Sequence, residues 1–341
     1  MTRIAAILLL IFAGLAQSAD PPIKPTFVTS EGKSVPVTEL IDSFAKQAGI
    51  AIDRSAVPAS AKIAMQIELP FWQALQKVAD GTGQRVIIEG KGDRIVLVKN
   101  DTFARPKPSI TGPFRVAVKS VTAKSDFDAG RTSYDVQLEL SWEPRIAVFR
   151  TYALSASASD LKATSDVAKA SVFGSRQPLV VRFAGIDRTT GLWKSLSGSV
   201  TVTAAEKMLR VSFDDLAAKQ PTKTIETVSV TLAKWEKIDD LWEARVEMTY
   251  PPGMPAFESF EAECWLRDNA CRLVSPDRSK SFEAKDQLVR VTPTGAVIDY
   301  RFPEDKAKGL LPGKGWRLEV DTPSPLLEFA VPFELKNIPL P

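Results

Sequence analysis

Residues 35–98, VPVTELIDSFAKQAGIAIDRSAVPASAKIAMQIELPFWQALQKVADGTGQRVIIEGKGDRIVLV, decide the fold of the N-terminal part of this chain. The segment contains one pattern twice, a helix followed by a strand. In the first copy, Leu40, Ile41 and Phe44 recur on one helical face. Gly49 follows where a left-handed residue ends a helix. The second copy has matching residues at positions 74, 75, 78 and 83.

Short apolar strands complete the repeated pattern. Ile50–Ile52 follows the first helix, and Ile63–Leu69 alternates in polarity before Pro70, which suits the first turn of a helix. Arg94–Val98 follows a Gly-rich turn and closes the unit. We therefore expect an α+β domain of βαβ-βαβ order over residues 25–100.

This order resembles the short N-terminal (STN) domain of secretins and TonB-dependent receptors. The resemblance rests on V-x-x-L-I-D-S-F-A-K-Q-A-G-I from Val37 and on P-F-W-Q-A-L-Q-K-V-A-D-G-T-G-Q from Pro70, and it covers about a fifth of the chain. It implies a periplasmic protein–protein contact module and not a catalyst. The rest of the chain contains neither the secretin ring domains nor the membrane barrel of that family, so the resemblance concerns this domain alone.

The first 19 residues have the composition of a secretory signal peptide. Arg3 precedes an apolar run from Ile4 to Leu15, and small residues follow, which predicts cleavage near Ser18 or Ala19. The run is too short to span a membrane, which takes about 20 apolar residues. We expect a periplasmic or secreted protein with no transmembrane segment in the mature chain. The net charge of +3 disfavours a nucleic-acid partner.

After residue 100 the periodicity changes to that of strands. Tyr134–Trp142 alternates over nine residues, so its polar members 135, 137, 139 and 141 are expected to face water. Further strands are predicted at 148–155, 179–183, 199–203 and 209–213. We predict two tandem all-β immunoglobulin-like sandwiches. The domain bounds are a linker at 101–113, the first sandwich at 114–216, a linker at 217–224 and the second sandwich at 225–341.

The second sandwich repeats features of the first. Residues 242–250 answer the 134–142 alternation, and Phe329-x-Val331-x-Phe333 resembles Leu209-x-Val211-x-Phe213. The pattern indicates a tandem duplication of a unit of about 110 residues, although two sandwiches of separate origin would give the same pattern.

The chain contains no histidine, which removes Ser-His-Asp and Cys-His catalysis and every histidine metal site. Two cysteines do not complete a zinc site either. An Asp126-x-Asp128-x-Gly130 segment lacks the ligands of a calcium loop, and Gly309-x-x-x-Gly313-Lys314 lacks those of a phosphate loop, so both are interpreted as turns. We predict no catalytic, cofactor-binding or metal-binding residue.

Cys264 and Cys271 lie close together in CWLRDNAC. In an oxidising compartment this spacing predicts a structural disulfide, and a redox-active pair is the alternative. Such a disulfide would close a small loop.

Three functions are compatible with these patterns. The first expectation is a non-enzymatic adaptor that docks an envelope protein through the STN-like domain. The alternative is a sandwich that binds a glycan or another ligand, for which Trp193, Trp265 and Trp316 are the candidate platform. The third is a carboxylate-based hydrolase. Its candidate acids are Glu258, Glu261 and Glu263, with Asp239 and Asp240 nearby.

Overall fold

The computed structural model describes residues 21–90, 92, 94–101, 105–128, 130–158, 161–162, 170–171, 174–185, 191–253 and 269–341. These residues form two helices and five β-sheets. Within the described ranges, no helix is both long and apolar enough to cross a membrane. The predicted signal peptide at residues 1–19 lies outside them.

The N-terminal α+β unit packs two helices against two small sheets. Its elements are β1 (Phe27–Pro36), α1 (Val37–Ala48), β2 (Ala51–Asp53), β3 (Lys62–Pro70), α2 (Phe71–Gly81), β4 (Gln84–Glu89) and β5 (Arg94–Lys99). Strands β1 and β3 form an antiparallel ribbon, and the second sheet has the order β2-β5-β4. Both helices contribute side chains to one core with these strands.

Both helices predicted from the repeated pattern are present. Leu40, Ile41 and Phe44 are buried in α1, and Gly49 has φ 65°, the left-handed conformation that glycine adopts without strain. Strand β1 occupies the first position of the predicted βαβ-βαβ order, although no residues are predicted for that strand. It pairs with the predicted strand β3 and gives the unit its second sheet.

The rest of the chain consists of strands. They are β6 (Ser109–Thr111), β7 (Phe114–Asp126), β8 (Arg131–Trp142), β9 (Ala147–Ala158), β10 (Leu161–Lys162), β11 (Ala170–Ser171), β12 (Arg176–Ala184), β13 (Leu192–Phe213), β14 (Thr222–Ile225), β15 (Val228–Ile238), β16 (Leu241–Thr249), β17 (Cys271–Val274), β18 (Ser281–Glu283), β19 (Asp286–Thr292), β20 (Gly295–Pro303) and β21 (Arg317–Pro339).

These strands enclose two cores. The first sandwich lies between the four-stranded sheet β12-β8-β7-β6 and part of a larger shared sheet, β10-β9-β13-β21-β17-β18, in which β11 also pairs with β9. The second sandwich lies between the five-stranded sheet β14-β15-β16-β20-β19 and the remainder of that shared sheet.

Strands β13 and β21 run through both sandwiches. They pair without a register shift from Leu192↔Pro339 to Phe213↔Leu318. From Leu196 to Phe213 of β13, the buried positions are even in the first core (196, 200, 202 and 204) and odd in the second (205, 209, 211 and 213). Because alternate side chains point to opposite faces of a strand, the two cores lie on opposite faces of this strand pair.

The shared sheet differs from the predicted organisation. The predicted strands 199–203 and 209–213 are one strand, and residues 209–213 belong to the second core although they fall within the predicted bounds of the first sandwich. Conversely, Val331 and Phe333 belong to the first core. Both predicted linkers end in short strands, β6 and β14, because their last residues pair with the strands that follow.

Candidate functional site

A buried carboxylate joins the α+β unit to the first sandwich. Glu143, directly after β8, is 1% exposed, and each of its oxygens accepts a hydrogen bond at 3.0 Å from the Thr26 backbone N–H. The Thr26 hydroxyl donates to it at 2.6 Å, and Arg145 Nε donates at 2.9 Å. Burial raises the pKa of Glu143, while these hydrogen bonds oppose the rise.

Two further contacts hold the same two parts together. The buried Trp72 indole, at the start of α2, donates to the Pro113 carbonyl at 3.0 Å. Arg176 of β12 donates to the Ile88 carbonyl of β4 at 3.0 Å. The α+β unit is therefore anchored over the outer face of the sheet that contains β7, β8 and β12.

A cleft of about 660 Å³ lies between these two parts. One wall comes from α2 and β4, and the other from β7 and β8. Residues 105–108 and the last residues of β21 complete its rim. A volume of this size suits a small organic ligand.

The outer face of β8 is not the exposed face that the alternation predicted. Gln137 is exposed, but Asp135, Glu139 and Ser141 are only 8%, 6% and 0% exposed. Cross-strand partners account for Asp135, since Arg182 Nε lies 2.7 Å from its carboxylate. Glu139 lines the cleft and is covered from the side of the α+β unit.

The cleft contains a buried guanidinium group. Arg115 of β7 lies on the outer face between the core residues Phe114 and Val116, and it is 6% exposed. Burial lowers its pKa to about 10, and the nearby Glu139 carboxylate opposes this shift. Among the described residues, Arg115 Nε has no hydrogen-bond partner.

The opposite wall contributes one more buried polar atom of this kind. It is Arg85 Nε, near the start of β4, which has no partner within the described part of the chain. The neighbouring Gln84 side chain lies on the other face of β4, with the core residues Val86 and Ile88, and its Nε2 donates to the Ala56 carbonyl at 2.8 Å. Each wall thus presents one unsatisfied guanidinium Nε in the cleft.

Only one of the two cysteines of the predicted disulfide lies in the described residues. Cys271 is buried at the start of β17, and Cys264 lies outside the described residues, so the pairing stays a prediction. Burial raises the pKa of the Cys271 thiol well above its ordinary value. This direction disfavours the redox-active alternative, which needs a lowered thiol pKa.

The two described tryptophans of the candidate sugar platform are not on the surface. Trp193 and Trp316 are 3% and 7% exposed and belong to the two cores, while Trp265 lies outside the described residues. Their large apolar rings fill the sandwich interiors instead. A stacked pair, Trp235 and Trp242, is half-buried against the second core with ring centroids 5.0 Å apart.

The remaining candidate features lie in turns or outside the described ranges. Asp239 and Asp240 form the turn between β15 and β16, while the three glutamates at 258, 261 and 263 are not described. Asp126 ends β7, residues 127, 128 and 130 lie in the turn that leads to β8, and 309–314 lies between β20 and β21. No group of three metal-ligating side chains occurs in the described part of the chain.

Comparisons of the chain with protein-family models, with curated proteins and with solved structures gave no match. The resemblance to the STN domain therefore stays a prediction. Sequence reasoning did not identify the cleft, because Arg115 has the ordinary pattern of a charged residue on the wet face of a strand. Arg115 differs from such a residue only because its contact with the α+β unit buries it.

Proposed function

We propose that this chain is an exported, non-enzymatic binding protein whose ligand occupies the cleft between the α+β unit and the first sandwich. The observation that carries the proposal is the pair of buried guanidinium atoms on the two walls, Arg85 Nε and Arg115 Nε, which have no partner among the described residues. Native proteins leave few buried polar atoms unsatisfied, and a ligand supplies the missing partners.

The non-enzymatic part of the proposal rests on the side chains present in the cleft. The chain has no histidine, and the two side-chain carboxylates of the cleft are already engaged in ion pairs. Asp80 pairs with Lys107 at 3.0 Å, and Glu139 pairs with Lys119 at 3.4 Å. Export rests on the predicted signal peptide. An STN-like identity for the α+β unit, an immunoglobulin-like identity for the sandwiches and their origin by duplication belong to the same proposal.

The test blocks the cleft without changing its charge. Ala117 lies on the outer face of β7 and lines the cleft, so Ala117→Trp places an indole in the ligand volume. Gln137→Trp adds the same ring at an exposed position of the neighbouring strand and serves as the matched control. The full chain and both variants are incubated with a small-molecule extract of the native cell envelope and analysed by native mass spectrometry.

We expect the same bound mass on the unaltered protein and on Gln137→Trp, and its loss on Ala117→Trp. Equal binding by all three proteins, or no binding by the unaltered one, contradicts the proposal. Ser120→Trp, at an exposed position that also lines the cleft, repeats the test if Ala117→Trp does not fold.

A second candidate is the adaptor function, in which an extended segment of an envelope protein adds to the β1–β3 ribbon. Within the described residues, each ribbon strand is paired along one edge only, and Phe27 at the ribbon's end is 54% exposed. The Gln47 side chain occupies the open edge of β1, because it bonds the N–H and the carbonyl of Thr29. The edge of β3 is therefore the docking edge in this proposal.

Photo-crosslinking distinguishes the adaptor from the ligand-binding protein. A photoreactive phenylalanine analogue at position 27 is compared with the same analogue at position 127, where Phe127 is 92% exposed in the β7–β8 turn. A defined partner attached at position 27 but not at 127, and lost when proline replaces Glu68 in β3, supports strand addition. Equal labelling at the two positions contradicts it.

A further inference from the structure

We propose that the cleft binds an oxyanion, the carboxylate or phosphate group of a small molecule, through the guanidinium groups of Arg115 and Arg85. This inference rests on the proposed function, because it names the ligand class of the same cleft.

The charges that line the cleft favour an anion. Five cationic side chains line it, against the two side-chain carboxylates of Asp80 and Glu139. The five are Arg85, Arg105, Lys107, Arg115 and Lys119. Arg105 is paired with Asp101 and Lys107 with Asp80. The excess of positive charge therefore comes from Arg85, Arg115 and Lys119, against the one carboxylate of Glu139, in a partly enclosed space where electrostatic interactions are stronger than in bulk water.

Glu139 does not balance Arg115 alone. The same carboxylate lies 3.4 Å from Lys119 Nζ and 3.5 Å from Arg176 Nη1. Three cations therefore share one carboxylate, and Arg115 is the most deeply buried of the three. A water molecule would complete the hydrogen bonding of Arg115 Nε, but only an anion would also balance the buried charge.

Arginine is suited to this role because its planar donors match the two oxygens of a carboxylate or phosphate. Arg115 and Arg85 come from different folding units, β7 of the first sandwich and β4 of the α+β unit. An oxyanion between these two walls would bind to both units at once.

The full chain is titrated separately with inorganic phosphate, lactate and neutral glycerol, each up to millimolar concentration. The Nε–Hε signal of Arg115 is followed by NMR during each titration. We expect phosphate or lactate to shift the signal and glycerol to leave it unchanged. Arg85→Gln is expected to weaken anion binding about tenfold or more, because a charge-assisted hydrogen bond is lost.

Arg115→Gln is followed by calorimetry, since it removes the observed signal, and the same loss of affinity is expected. Arg245→Gln is the matched control, because Arg245 lies on the outer face of the second sandwich and is paired with Asp299. Tighter binding of phosphate than of lactate assigns the oxyanion as phosphate, and the reverse order assigns it as carboxylate.

An absence of response to both anions overturns the inference, and so does unchanged affinity in Arg115→Gln and Arg85→Gln. If the envelope ligand lost in Ala117→Trp proves neutral, the cleft remains the binding site and only the anionic class fails. If Ala117→Trp retains its ligand, the proposed function itself fails.

Discussion

The outer faces of the two sandwiches each carry a cross-strand ion pair between an arginine and an aspartate, but they differ in what covers them. In the first, Arg182 Nε lies 2.7 Å from the Asp135 carboxylate; in the second, Arg245 Nε lies 2.7 Å from that of Asp299. The second face has no covering unit among the described residues, and the side chain of Arg245 keeps 33% of its exposure. Arg115 keeps 6% beneath the α+β unit.

Neighbouring strands supply the ion pairs on both faces, whereas the burial of Arg115 comes from contact with the α+β unit. Cross-strand pairing of opposite charges stabilises either face, whether or not another unit covers it. Covering one end of the first face removes water from Arg115, and the one carboxylate that the α+β unit adds to the cleft, Asp80, is paired with Lys107. The candidate site therefore arises from the contact between two units, and each wall alone is an ordinary charged surface.

The largest effect is expected from the cores that underlie both faces. Phe213→Ala in the second core and Phe333→Ala in the first are each expected to lower the free energy of unfolding by about 3–5 kcal/mol. Because β13 and β21 belong to both cores, each variant should shift one common transition in urea. Phe127→Ala, at an exposed turn, should leave that transition unchanged. Two separate transitions, only one of them shifted, would show that the sandwiches fold independently.

A smaller loss is expected from the contact that covers the first face. Glu143→Ala removes the acceptor for the Thr26 N–H and hydroxyl, which should cost about 2–3 kcal/mol of unfolding free energy. The α+β unit should loosen, and hydrogen exchange of the Trp72 indole should become faster. Glu243→Ala on the second face, where Arg301 is the partner, should leave the exchange of Trp72 unaltered. Unchanged Trp72 exchange in Glu143→Ala would contradict the role assigned to this contact.

The ion pair on the first face gives a pH-dependent effect. Hydrogen bonding from Arg182, with a further contribution from Lys124, lowers the pKa of Asp135 from 3.8 to about 2. The folded state thus favours the carboxylate, so its contribution to stability is present above pH 3.8 and is lost as the pH falls towards about 2. Asp135→Asn should cost about 1–2 kcal/mol at pH 7 and progressively less in acid, as measured by urea unfolding across this range.

Asp128→Asn, at the exposed β7–β8 turn, is the control and should have little effect at any pH. A difference between Asp135→Asn and the unaltered chain that stays constant down to pH 2 would exclude the Arg182 pair as its origin.

The local elements of the fold were predictable from the sequence, and the long-range ones were not. Helices α1 and α2 follow from apolar spacing within a dozen residues and from Gly49 at a helix end. The sequence pattern divides strand β13 in two because its buried positions change from even to odd between Ala204 and Ala205. A change of phase resembles a break between strands, whereas here it marks the crossing from one core to the other.

The candidate site was less predictable than the fold. Glu139 and Arg115 alternate with core residues and have the pattern of exposed positions. Their burial depends on Trp72 and Thr26, which are distant in sequence and whose contacts no periodicity reveals. The absence of histidine is visible in the sequence alone, and it excludes the catalytic and metal sites that need an imidazole.

The smallest expected effect is the change in the free energy of unfolding when an arginine on either face is replaced by methionine. It tests the comparison most directly, because its sign differs between the two faces. Replacing Arg245 with methionine leaves the buried Asp299 carboxylate with fewer partners, and the free energy of unfolding should fall by about 1 kcal/mol. Replacing Arg115 with methionine removes a buried guanidinium whose Nε is unpartnered, and Glu139 keeps Lys119 and Arg176. In buffer free of oxyanions, Arg115→Met should leave stability unchanged or raise it by about 1 kcal/mol.

Adding a saturating oxyanion should make the unaltered protein more stable than Arg115→Met, since a ligand that binds only the folded state stabilises the unaltered protein and not the variant. Urea unfolding of the three proteins, with and without phosphate, measures both signs in one experiment. A loss of stability in Arg115→Met as large as that in Arg245→Met, with no response to phosphate in any protein, would mean that Arg115 is an ordinary structural partner of Glu139. A guanidinium that stabilises the unliganded fold already has its counter-charge, so no negative charge is left for a ligand to supply. The two outer faces would then differ in exposure alone.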